Sequence, residues 1–141
     1  MLFSVDINYL AVLAMTVFSL ILGSVWYGPL FGKQWMSAMK VPKAEIDKAK
    51  KKGMKGMWKS YLFQFVGSLV MVYILAMFVK YSGSTTLLNG ALVGLWIGVG
   101  FSAAKNIGSV IWEGRPKSLY LINTFYDIVF LMISGAVLAV W

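Results

Sequence analysis

The 141-residue sequence contains no histidine and no cysteine. Their absence removes the usual ligands for zinc, copper and iron, the commonest general base, the thiol nucleophile and any disulfide framework. Charge is scarce too: 13% of residues are charged, against roughly 25% in an ordinary soluble domain. Only 5 are acidic and only 3 are proline. What abounds is apolar, with 60% hydrophobic residues and a mean hydropathy of +0.76. A soluble fold of this size cannot hide that much apolar surface, so lipid is the expected solvent.

Four apolar stretches, 8–30, 60–79, 86–112 and 119–141, each reach the ~20 residues that a helix needs to cross a bilayer. None alternates apolar and polar residues as a barrel strand does. The fold expected is therefore an all-α membrane protein, a single domain over 1–141 with four transmembrane helices. No Lys or Arg precedes the first stretch, which is also too long for a signal-peptide core, so the first helix is expected to be retained.

Lysine placement gives an orientation. The basic connection 32–59 carries nine Lys against Glu45 and Asp47, and the connection after the third helix adds Arg115 and Lys117. The other side has Lys80 and Asp6. The positive-inside rule then puts both basic connections in the cytoplasm and both termini outside. Trp26, Tyr27, Trp58, Tyr61, Tyr81, Trp112, Tyr120 and Trp141 fall near the boundaries, where aromatic rings anchor spans.

Within the basic connection, Pro42 suits the first turn of a helix, with Glu45 and Asp47 at its positive end. Gly53 and Gly56 loosen the entry into the second span. Lys48, Lys50, Lys51, Lys52 and Lys55 offer contact with anionic lipid headgroups, at about 1 kcal/mol per Lys near the surface. A solvated topology signal that binds nothing is the plainer reading. Nucleic acid is not an expected partner, since no aromatic stacking platform accompanies the charge.

The first and third spans end alike. Gly23-Ser24-Val25-Trp26-Tyr27-Gly28-Pro29 resembles the segment from Gly108-Ser109-Val110 through Trp112 to Gly114-Arg115-Pro116. Two similar hairpins in parallel repeat would give that pattern, and so would chance in a low-diversity apolar sequence.

The third span carries Gly90, Gly94, Gly98 and Ser102 at four-residue spacing, a face of small residues that lets backbones approach closely. Gly98-Val99-Gly100-Phe101-Ser102-Ala103 mimics a dinucleotide fingerprint, but it lies inside an apolar helix and not after a strand, so no cofactor is expected. At 100° per residue Lys105 falls on the same glycine face, ~12 Å from the end of the span. Asp127 lies ~13 Å into the fourth span from the same side. Opposite charges at one depth suggest an ion pair in a polar seam, with Asn106 and Ser109 beside Lys105 and with Tyr120 and Asn123 on the face of Asp127. Gln64 could join it, but sequence does not fix its azimuth. The seam reads as a register-fixing pair, as a relay or ligand site, or, if Lys105 snorkels outward, as no pair at all.

Several motifs carry a resemblance. They are Asn8-Tyr9-Leu10-Ala11-Val12-Leu13, the run from Trp26-Tyr27-Gly28-Pro29 to Gln34-Trp35-Met36, and Glu113-Gly114-Arg115-Pro116. Leu121-Ile122-Asn123-Thr124-Phe125-Tyr126 and Gly135-Ala136-Val137-Leu138 complete the set. Over nearly its whole length the chain resembles a family of small bacterial four-helix integral membrane proteins catalogued only as a domain of unknown function. The resemblance implies an inner-membrane location and carries no catalytic residues over. Lys105 lies outside those motifs.

Enzymatic activity is not expected. Asp127 is the one carboxylate deep in a span, and Ser109 with Lys105, though close enough for a dyad, has no oxyanion hole or orienting group. The reading from sequence is a non-catalytic helix-bundle subunit that forms a homo-oligomer or joins a larger membrane assembly through the glycine-rich third helix. The alternative is a small oligomeric transporter or channel that uses the Lys105–Asp127 seam.

Overall fold

The computed structural model describes residues 5–141. Helix α1 (Tyr9–Val25) starts where the Asn8 side chain accepts the Ala11 backbone N–H at 3.1 Å. It continues into a π-helical turn, Trp26–Leu30, that contains Pro29. Proline has no N–H to give and its ring crowds the carbonyl four residues back. The wider turn relieves that crowding and closes with the Phe31 N–H on the Trp26 carbonyl at 2.8 Å.

Short α2 (Gly32–Ala38) leads to α3 (Lys43–Tyr81), which is broken at Gly53 by φ 55° and ψ −158°, a backbone conformation essentially reserved for glycine. The connection 32–59 is thus mostly helical: α2, then the lysine-bearing turns of α3 that follow Pro42, as the proline and acid placement suggested. Helix α4 (Leu87–Ile97) is capped by the Thr86 hydroxyl on the Asn89 N–H at 3.2 Å. A second π-helical segment, Gly98–Ala103, joins it to α5 (Ala104–Ile111), and α6 (Lys117–Val140) ends the chain.

Four segments among the described residues are long and apolar enough to cross a membrane: Tyr9–Leu30, Lys55–Tyr81, Leu87–Ile111 and Lys117–Val140. Phe63 at 76%, Trp96 at 72% and Phe101 at 72% exposure stand off the bundle, a surface that only lipid makes tolerable.

Packing is uneven along the bundle. The core consists of Ala11 and Val12 of α1, Val72, Leu75, Ala76 and Val79 of α3, and Phe130, Leu131, Leu138 and Ala139 of α6. All belong to the half remote from the lysine-rich segment. In that half α4 also lies backbone to backbone on α6. A Cβ on Gly90 would strike the Gly135 carbonyl, and one on Gly94 would strike the Leu131 carbonyl and lie 2.8 Å from the Met132 nitrogen. The small-residue face of the third span is therefore filled by the chain's own last helix, and it is not free to join a second copy.

The two segments that look alike in sequence follow different backbone paths. Trp26–Leu30 carries the helix onward, whereas the helix after Gly108 stops at Ile111 and turns at Gly114 with φ 64°.

Candidate functional site

In the lysine-end half the helices part. A cleft of about 800 Å³ lies between α1, α3 and α6, with α2 bringing Trp35 to it. Its size falls in the range of small-molecule sites, roughly 300–1,000 Å³. Tyr27, Trp35, Tyr61 and Tyr126 give it aromatic walls, Ser19, Ser24, Ser60, Gln64 and Asn123 give it polar groups, and Asp127 gives it a carboxylate. Asp127 lies ten residues into α6, about 15 Å from its start.

The Trp-Tyr-Gly-Pro turn shapes one side. Because the π turn swings the end of α1 across α6, the Trp26 indole N–H donates to the Ile122 carbonyl at 3.0 Å. The Tyr27 hydroxyl donates to the Asn123 side-chain oxygen at 2.8 Å. Trp26 and Tyr27 are thus half-buried clasps on α6, besides marking a boundary. Tyr126 reaches the opposite way and donates to the Ser19 carbonyl at 2.8 Å. Both rings are fixed at their hydroxyl ends and lie 5.4 Å apart, and the Trp35 ring meets Tyr27 edge-on at 5.8 Å. Tyr126 in turn stacks on Phe130, the first buried aromatic of the packed half.

Asp127 accepts a hydrogen bond from the Ser102 hydroxyl, and Ser102 accepts one from the Asn106 amide at 3.3 Å. Ser102 does not line the cleft, so it supports the carboxylate from the α4 side. The expected Lys105–Asp127 pair is not formed. Lys105 is exposed, and the salt bridge present among the described residues joins Arg115 to Glu113 at 2.8 Å. The cause is the segment Gly98–Ala103. A π turn advances about 80° per residue instead of 100°, so the six residues delay the helix by about 120°, a little more than one residue's turn. Lys105 rotates off the α6 face and Asn106 takes its place. The turn is pinned by the Tyr120 hydroxyl, which donates to the Ala103 carbonyl at 2.8 Å.

The other expected seam residues do gather. Asn106, Ser109, Tyr120 and Asn123 line a second cavity of about 270 Å³ together with Glu113 and Arg115. Asn123 borders both cavities. Gln64 faces the larger one and donates to the Ser68 hydroxyl at 3.2 Å. Lys48, Lys50, Lys51, Lys52 and Lys55 are all exposed around Gly53. Sequence reasoning did not single out Trp35 and Tyr126 for the site. Tyr126, next to the intramembrane acid and one turn beyond Asn123, was the available signal.

No set of three or more carboxylates that could hold a metal ion occurs among the described residues. Fold and cleft together define a multi-pass α-helical membrane protein with a polar, aromatic-walled site inside its bundle. The chain belongs to the family DUF1761, described as protein of unknown function, whose model matches residues 10–139. It is similar to a UPF0591 membrane protein of Schizosaccharomyces pombe, 28% identical over 104 residues that cover 73% of this chain and 69% of the yeast protein. No solved structure matches it.

Proposed function

We propose that the chain is a non-catalytic membrane protein that binds a small polar solute or a lipid headgroup in the cleft between α1, α3 and α6. One observation carries this reading: the bundle is close-packed in one half and holds a cavity of about 800 Å³, lined by hydroxyls and a carboxylate, in the other. Most polar groups of the cleft already have a protein partner, but Asp127 has no positive one, and an acid at membrane depth calls for an occupant or water beside it. A binding role suits the chemistry better than catalysis. Asp127 is the one carboxylate of the cleft, and the hydroxyls of Tyr27 and Tyr126 are already committed to Asn123 and Ser19.

The lysine-rich end faces the cytoplasm of a cell (inner) membrane on the positive-inside rule, so the cleft belongs to the cytoplasmic half. There Lys48, Lys50, Lys51, Lys52 and Lys55 of α3, all exposed, meet anionic headgroups. Transport is the second reading, favoured by the one-sided opening of the bundle, which is how one state of an alternating site looks. Two sequential antiparallel pairs, α1 with α3 and α4 with α6, support an origin in two similar hairpins. Assembly with a second copy or a larger complex would use a lipid-facing surface, since α6 fills the glycine face.

Native mass spectrometry of gently extracted protein tests the binding reading. The wild type should retain a small molecule or lipid of defined mass, and Ser60→Trp, which fills the cleft, should lose it. A wild type free of any adduct and bound in fixed ratio to a different membrane protein would make it an accessory subunit instead.

A further inference from the structure

We propose that the cleft recognises an ammonium group, either a free organic cation or the headgroup of an ammonium-bearing lipid. The inference rests on the reading of the cleft as a ligand site and names its occupant's chemistry. Three features converge on it.

The first is the unmatched carboxylate. Asp127 lies within a membrane-spanning helix and takes one hydroxyl, from Ser102, while Lys105 points away. A carboxylate in a low-dielectric bundle needs a positive partner or a proton, and none of the described residues supplies a cation here. The second is the exclusion of positive charge. The protein carries a net charge of +8, yet no Lys or Arg lines the cleft. An anionic ligand would find one carboxylate and no counter-charge. The third is the aromatic wall. Tyr27, Tyr126 and Trp35 form a contiguous set of rings, two of them fixed by their hydroxyl bonds. Ring faces attract a cation through their quadrupole, and aromatic cages recognise quaternary ammonium groups in this way. A bare metal ion fits poorly, because hard cations take six or more oxygens and favour several carboxylates.

The test uses the full chain in nanodiscs of phosphatidylglycerol, with choline as probe and its uncharged isostere 3,3-dimethylbutanol as control. Binding is read by calorimetry and by Trp fluorescence. Choline should bind saturably and the alcohol should not. Asp127→Asn should weaken choline by about tenfold or more, the effect of removing one charge-assisted contact. Tyr126→Leu tests the aromatic wall without touching the acid, and it too should weaken choline.

Adding phosphatidylethanolamine to the disc separates the sources. Competition with choline assigns the site to a headgroup, and no competition assigns it to a free cation. Equal binding of choline and the alcohol, no binding of either, or choline affinity unchanged in both variants overturns the ammonium assignment. Reactivity of Ser24→Cys toward an impermeant maleimide, applied from the lysine side, then separates the two failures. A reactive thiol leaves the cleft standing as a site for another ligand, and an unreactive one removes the cleft as well.

Discussion

Asp127 owes its surroundings to a residue that strict helical periodicity places elsewhere. Counting 100° per residue from Gly94 and Gly98 puts Lys105 over the acid, but the structure puts Ser102 and Asn106 there. Because Lys105 is exposed, its removal should be felt locally and no further. In a double-mutant cycle, Lys105→Met and Asp127→Asn should be additive within about 0.5 kcal/mol in thermal unfolding. A larger coupling would mean that the two charges interact. The acid itself and its neighbour Asn123 in the cleft were legible from residue types and spacing alone, whereas Tyr120, expected on the same face, lines the second cavity. The aromatic wall was only half legible: Tyr27 and Tyr61 read as boundary anchors, and nothing in their spacing shows which way a ring turns.

The elements were legible to within a few residues, because twenty apolar residues in a row have few other fates. What the sequence did not disclose is the π-helical character of Gly98–Ala103 and the destination of the glycine face. Four-residue spacing says that a helix can be approached closely, and it does not say by which helix. Here the partner is α6, whose own Gly135 completes the contact with Gly90. Gly94→Ala should therefore destabilise the protein by ~1–3 kcal/mol, since the new methyl strikes backbone that cannot rotate away. Gly100→Ala, six residues along the same span, has open space for its methyl and should stay within about 0.5 kcal/mol of wild type. Equal losses for the two, by thermal unfolding in one detergent, would show that helix propensity and not close approach governs this span.

At the scale of the whole molecule, topology is open to direct measurement because there is no native thiol. Ala44→Cys lies on the exposed lysine-bearing stretch, and Thr85→Cys is exposed at the opposite end of α3. In intact cells an impermeant maleimide should label the second and spare the first, and inverted vesicles should reverse the pattern. The opposite result would turn the protein over and open its cleft to the exterior.

The π-helical segment of the third span has a consequence for chain length. Gly90 and Gly94 before it and Asn106 after it all meet α6 or its cavity, though their spacing does not suit an uninterrupted α-helix. The wide turn absorbs one residue and hands the same face on to the next stretch. This span thus contains one residue more than its packing requires. A relative one residue shorter between Gly98 and Ala103 could keep both faces in place, whereas the same deletion among Gly90–Gly94 would turn the glycines away from α6.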